Sequence, residues 1–234
     1  MMKPSLRELL GKVRDLMGRG GDRTEFTGLH GVDRKLAAIA GHERGFFVEA
    51  GANDGITQSN TFFLEKRRQW RGLLVEADPR LCAKCRRARP ASATVQAGLV
   101  GPDYRGSTVE LYEAGLMSFV AGSLTSAAQE RQLSAARRFA QKVTGKTITV
   151  PARTLGQVLE AAGAPQEFDL LSLDVEGHEP TVLKGVDLDR WRPRLICVES
   201  RDQEALESAL DSRYRLIAVL HQEEAYSDLL YERL

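Results

Sequence analysis

Short apolar runs alternate with stretches of helical spacing along most of the chain. Phe46–Ala50 is a continuous apolar run ending at a glycine, which predicts a buried strand. Ser59 to Arg68 reads as a helix with Phe62, Phe63 and Leu64 turned inward, and Leu73–Glu76 as a second buried strand. Asp78-Pro79 opens a helix running to Arg89, and Thr94 to Val100 is a third strand. Further on, helices are predicted over 155–162, 180–184 and 203–212, and strands over 168–173, 195–198, 214–220 and 228–232. Strands apolar on both faces, separated by helices of about ten residues, indicate parallel β-α-β units with helices on both sides of the sheet.

Two regions depart from this rhythm. Residues 1–40 read as an N-terminal helical extension, and 41–234 as the main domain. In the first 21 residues Leu6, Leu9, Leu10, Val13, Leu16 and Met17 keep helical spacing, but Arg7, Glu8, Lys12, Arg14 and Asp15 interrupt them. That is an amphipathic helix, to be docked on protein or laid on a membrane, and not a secretory signal. A second short helical turn covers Arg34 to Ala40. An insert near 105–147 contains an alternating arm (107–112) and a polar helical stretch (123–143), followed by a strand starting at Thr147. It is either substrate-facing structure or a solvated excursion. No apolar run approaches the roughly twenty residues of a membrane span, so no integral membrane segment is expected.

Composition narrows the function classes. With 42% hydrophobic and 28% charged residues, the 234-residue chain is neither disordered nor collagen-like. Thirty-three Lys+Arg against 32 Asp+Glu leave a net charge of +1, so no overall field favours nucleic acid. The Arg67/Arg68/Arg71 and Arg86/Arg87/Arg89 stretches read as solvated helix faces, and a small-molecule or glycan acceptor is the expected partner. Cys82 and Cys85 form a C-x-x-C on a basic helix, but no second Cys/His pair completes a zinc site. Reduced thiols fit a cytoplasmic location.

The strongest local signal is Glu49-Ala-Gly51-Ala-Asn53-Asp54-Gly55, between the first strand and a helix. Its glycines permit a tight turn and close backbone approach to a ligand. The second strand ends in Glu76, whose two carboxylate oxygens suit the hydroxyls of an adenosine ribose. A dinucleotide motif would place glycine where Asn53 stands. Glu49 and Asp54 would repel a pyrophosphate but tolerate an ammonium or a sulfonium, which favours S-adenosylmethionine over NAD. Alternatively, these acids cap the following helix.

A second constellation, Asp174-Val-Glu176-Gly177-His178-Glu179-Pro180, follows the strand ending at Leu173. Asp174 and Glu176 alternate about Val175 and can project together. Glu49, Glu76, Asp174, Glu176 and Glu199 are thus expected on one rim of the sheet, a costly clustering unless cations or hydroxyls bind there. Asp174, Glu176 and Glu199 are candidate ligands for Mg2+. His178 is the candidate general base, or else a helix cap.

At these residues the chain resembles the FkbM family of S-adenosylmethionine-dependent methyltransferases. The matching stretches are Val48-Glu-Ala-Gly-Ala-Asn-Asp-Gly, Gly72-Leu-Leu-Val-Glu-Ala-Asp-Pro, Arg153-Thr-Leu, Asp169-Leu-Leu-Ser-Leu-Asp-Val-Glu-Gly-His-Glu-Pro-Thr-Val-Leu-Lys-Gly and Leu195-Ile-Cys-Val-Glu. The resemblance implies a Rossmann-like class I methyltransferase fold: an α/β, seven-stranded, mostly parallel sheet with one antiparallel strand and helices on both faces. It implies methyl transfer, commonly to a hydroxyl of a sugar or secondary metabolite. By motif match, Glu49, Gly51, Asn53, Asp54 and Gly55 hold the methionine part of the cofactor and Glu76 the ribose, with Ala77, Gly98 and Asp174 completing the cofactor contacts. Asp174, Glu176 and His178 form the catalytic set. A nicotinamide-dependent oxidoreductase and a non-catalytic adapter of the same fold are the alternatives.

Overall fold

A computed structural model describes residues 26–114, 117–122, 126–139 and 146–234. The amphipathic helix expected in the first 21 residues lies outside them. Seven strands form the main sheet: β1 (Phe46–Ala50), β2 (Arg71–Glu76), β3 (Ala93–Gln96), β8 (Glu167–Leu173), β9 (Arg192–Ser200), β10 (Tyr214–Gln222) and β11 (Ser227–Arg233). Their order is β10-β11-β9-β8-β1-β2-β3. β1 pairs in parallel with both β2 and β8, and β8 with β9. β11 inserts antiparallel between β9 and β10, as the resemblance implies.

Successive residues of each central strand enter opposite cores, which is why the strands read as unbroken apolar runs. Val48, Leu73, Val75 and Leu171 face a core closed by the helices Leu155–Ala161, Glu179–Lys184 and Gln203–Leu210. Phe47, Leu74 and Leu170 face another, closed by Val32–Ala40 and Phe62–Arg68. The expected boundary at residue 41 therefore moves: Val32, Leu36 and Ile39 are core residues, so Val32–Ala40 belongs to the domain. The helix Pro79–Ala88 buries Cys82 and Cys85, and its other face is basic. Burial raises both thiols, Cys85 to about 12, which disfavours the reactive thiolate form at neutral pH.

The third strand is shorter than its apolar run. Pairing with β2 ends at Gln96, opposite Glu76, because β2 itself ends there. The chain continues as β4 (Gly98–Leu99), leaves the main sheet at Ala97 and pairs with β7 (Thr147–Arg153). With β5 (Thr108–Tyr112) and β6 (Phe119–Val120) these make a second, four-stranded sheet in the order β4-β7-β5-β6. The insert is thus paired structure around Val100, Val109, Leu111 and Val150, and the helix Ser126–Phe139 lies between β6 and β7 in the chain. Among the described residues no helix is long and apolar enough to cross a membrane.

Candidate active site

The strand order reverses at β1, whose neighbours are β2 on one side and β8 on the other. In open parallel sheets ligands bind beyond the carboxyl ends of the strands at such a point. A cleft enclosing about 890 Å³, counted to its open mouth, lies there. Its floor is the loop after β1 (Gly51, Ala52, Asn53) and the end of β2 (Glu76, Ala77). One wall is the loop after β8 (Asp174, Val175, Glu176, His178), and the β5–β6 hairpin supplies Leu111, Ser118, Phe119 and Val120.

Each part is shaped by local chemistry. Gly51 has φ +86°, and a Cβ there would stand 1.8 Å from the Asp174 carbonyl oxygen, so only glycine lets the two loops cross. Asn53 also has positive φ (50°), tolerable for an asparagine, and its N–H donates to Glu76 Oε2 at 2.8 Å. The Asp78 N–H donates to Glu76 Oε1, also at 2.8 Å. One backbone donor per oxygen fixes the Glu76 carboxylate and leaves lone pairs for further donors. Burial pushes its pKa up to about 7, against the pull of those two N–H groups.

The loop after β8 is folded by Glu179 rather than by Glu176. The buried Glu179 carboxylate accepts from the N–H groups of Val175 (2.9 Å) and Gly177 (3.0 Å), and Gly177 turns with φ +93°. Asp174 opens onto the cleft. The enclosing walls, then the carboxylates of Glu199, Glu176, Glu179 and Asp228, raise its pKa, an effect tempered by its access to water. His178 lines the cleft from the position before the helix Glu179–Lys184 and makes no side-chain capping bond. Burial lowers its pKa, which favours the neutral imidazole.

Several expected site residues are placed elsewhere. Glu49 is buried under the loop, accepting from Ser59 Oγ (2.9 Å), the Asn60 N–H (2.8 Å) and Thr61 Oγ1 (2.6 Å). The fully buried Arg89 lies 3.7 Å from it and also bonds Glu65 (2.8 Å) and the Gly55 carbonyl (3.0 Å). Glu49 therefore holds the loop's shape from below. Asp54 ties its own turn by accepting from the N–H groups of Ile56 and Thr57 at 3.0 and 2.8 Å. Gly55 packs against Cys85 and Arg89, and Gly98 against Val109 and Val150. None of these four lines the cleft.

Glu176 and Glu199 share Arg201, at 2.8 and 3.3 Å. Glu199 does not line the cleft. Among the described residues, the group of three possible ligand atoms within 4.8 Å of one another is His30, His221 and Glu223, not the expected Mg2+ set of Asp174, Glu176 and Glu199. An arginine shared by two of the three supplies the positive charge that the rim acids were expected to take from a metal.

Residues the sequence reading passed over complete the site. Ser59 and Thr61 anchor Glu49, and Asn60 Nδ2 donates to the Ser172 hydroxyl of β8 at 3.2 Å. Phe119 stacks on Tyr112 (ring centroids 5.1 Å apart) in the hairpin wall. The polar Ser-Asn-Thr run after the glycine loop was a usable signal; Phe119, set by a two-residue strand, had none.

A sheet of this order, with an acid fixed at the end of β2 and a cleft at the β1 switch point, defines a Rossmann-like class I methyltransferase fold. A family model described as the methyltransferase FkbM domain matches residues 49–225. The chain belongs to the FkbM methyltransferase family. A search of curated proteins found no match. Solved structures similar to this chain include an FkbM methyltransferase from Methylobacillus flagellatus KT, with 12% identity and a TM-score of 0.49, covering 96% of this chain and 59% of that one. Another is a TehB-like SAM-dependent methyltransferase from Corynebacterium glutamicum, with 11% identity and a TM-score of 0.45, covering 98% of each chain. A third is Aeropyrum pernix fibrillarin with natively bound S-adenosyl-L-methionine, with 12% identity and a TM-score of 0.46, covering 82% of this chain and 67% of that one.

Proposed function

We propose that this protein is an S-adenosylmethionine-dependent O-methyltransferase acting on a hydroxyl of a sugar or glycosylated metabolite. The observation that carries the reading is Glu76: a buried carboxylate with each oxygen fixed by one backbone N–H, facing a cleft at the switch point. Its remaining lone pairs match two vicinal hydroxyls, and Ala77 and Ala97, which also line the cleft, are small and apolar enough to leave room for a purine. The residues thus fit a nucleoside without phosphate: the glycine loop turns its acids into its own scaffold and offers no cation for a pyrophosphate.

Bound there, S-adenosylmethionine supplies an electrophilic methyl group on its sulfonium. Asp174, which opens onto the cleft at the β8 rim, would offer its carboxylate to that group and help to hold the acceptor beside it. His178 would accept the acceptor hydroxyl's proton through Nδ1 or Nε2, its burial favouring the neutral imidazole that can take it. The hairpin residues Leu111 and Phe119 give the cleft an apolar wall, and Arg201 holds Glu176 in the wall formed by the loop after β8.

Incubation with methyl-labelled S-adenosylmethionine and a panel of sugars and glycosides tests this reading. Label on an acceptor oxygen is expected, with turnover falling about 10²–10⁴-fold in His178→Ala and little change in the cofactor KM. Label on nitrogen or carbon, or undiminished turnover in the variant, contradicts it.

A further inference from the structure

We propose that His30, His221 and Glu223 form a binding site for a single transition-metal ion of the Zn2+ type, separate from the methyl-transfer cleft. His30 comes from the turn before Val32–Ala40, whereas His221 comes from the end of β10 and Glu223 from the turn just after it. His30 Nε2 and His221 Nε2 both face the same oxygen, Glu223 Oε1, at 3.3 and 3.2 Å. Neighbouring ligand atoms around a tetrahedral zinc with bonds of about 2.0–2.1 Å stand roughly 3.3 Å apart. The two separations therefore already have the length of a tetrahedral edge, and all three candidate atoms lie within 4.8 Å of one another.

The site is built rather than accidental. His30 holds φ +53°, a left-handed backbone uncommon for a side-chain-bearing residue, and Gly31 continues the turn at +68°. The Asp33 carboxylate accepts from the N–H groups of Thr27 (2.7 Å) and Gly28 (2.8 Å), fixing the chain that enters this turn. The Lys35 ammonium donates to the carbonyl of Leu220, the residue before His221, and so clamps the turn to β10. The Glu223 N–H donates to the Tyr226 carbonyl at 2.9 Å, closing the hairpin that carries the carboxylate. The Tyr226 hydroxyl stands 3.0 Å from the same His30 Nε2, a hydrogen bond that an ion at this nitrogen would replace.

The two imidazoles stack, with centroids 3.6 Å apart and planes 11° from parallel. One dication shared by the three atoms would give the Glu223 carboxylate its counter-charge. Two nitrogens and one oxygen suit zinc and its first-row neighbours rather than Mg2+ or Ca2+, which take oxygen shells. Side-chain exposures of 31%, 21% and 48% leave an entry path and a fourth position for water. Because in-plane lone pairs must converge on one ion, the rings turn out of their stack on binding. His221 pairs with Asp228 and Asp228 with Glu199, so the site lies two strands across from the acidic rim and would pin the N-terminal turn to that edge of the sheet.

The full chain, stripped with a chelator and titrated with ZnCl2 by calorimetry, tests the proposal independently of any methyl transfer. One zinc per chain is expected, with Co2+ in its place giving the intense visible bands of a tetrahedral site. His30→Ala, His221→Ala and Glu223→Gln should each weaken uptake by more than about tenfold. All three residues are exposed or half-buried, so these variants keep their fold, as circular dichroism will show; His42→Ala, whose ring pairs with Asp169, should bind zinc like the wild type. No uptake by the stripped wild type overturns the proposal, as does uptake unchanged in both His30→Ala and His221→Ala.

Discussion

At the scale of single residues, the five acids gathered along one rim divide by what they touch. Glu49 is spent on Ser59, Asn60, Thr61 and Arg89, Glu176 and Glu199 share Arg201, and Glu76 and Asp174 face the cleft. Their presence was legible in the sequence; their division was not. Arg89 sits in a run that reads as a solvated basic face, yet its guanidinium is fully buried between Glu49 and Glu65. No periodicity distinguishes the last arginine of a helix that turns inward from one that turns out. Arg89→Ala leaves two buried carboxylates without their cation, and a loss of about 3–5 kcal/mol is expected. Thermal unfolding should show this as a fall in Tm of roughly 10 °C. A Tm within a degree or so of wild type would place the charge in solvent after all.

At the scale of elements, the strands of the main sheet were legible because both their faces are apolar and their ends are punctuated. The break at Ala97 was not, since the run from Thr94 to Val100 is uniformly suited to a strand. What divides it is the length of its neighbour: β2 ends at Glu76, and the chain then finds its next partner in β7. The insert was legible only as a departure, because β6 is two residues long and its pairing with β5 is set by distant contacts. That hairpin nevertheless supplies a wall of the cleft. Phe119→Ala should raise the acceptor KM several-fold while cofactor affinity stays unchanged. An equal loss in both would move the hairpin from the acceptor to the cofactor.

At the scale of the whole molecule, a near-neutral chain concentrates raised carboxylic acids at the carboxyl edge of its sheet. Burial leads in each case, holding Glu76 at about 7, Glu199 at about 8 and Asp228 at about 6. The folded protein therefore binds more protons than the unfolded chain between about pH 4.5 and pH 8, and linkage makes stability fall as pH rises through that window. Calorimetric Tm should climb on going from pH 8 to pH 5.5, whereas a flat or falling Tm would mean these acids are ionised at no cost. Such a rim costs stability, which a bound ligand would offset on the proposed reading. On that reading ribose hydroxyls would donate to the ionised form of Glu76, so binding should release a proton near pH 7 and strengthen as pH rises. Stability and ligand affinity then slope in opposite directions with pH, as expected where a buried acid serves binding rather than folding.

The central claim is that Glu76 grips the sugar of S-adenosylmethionine in this cleft, and calorimetric titration of that cofactor into wild type, Glu76→Gln and Glu76→Ala across pH 6–8 tests it most directly. The account predicts wild-type affinity that rises with pH, with both variants binding more than about tenfold more weakly and the Gln variant losing the wild type's rise with pH through 7, each lost hydrogen bond to a charged acceptor counting for about 1.5–3 kcal/mol. Equal affinity in all three proteins, at every pH, would contradict it.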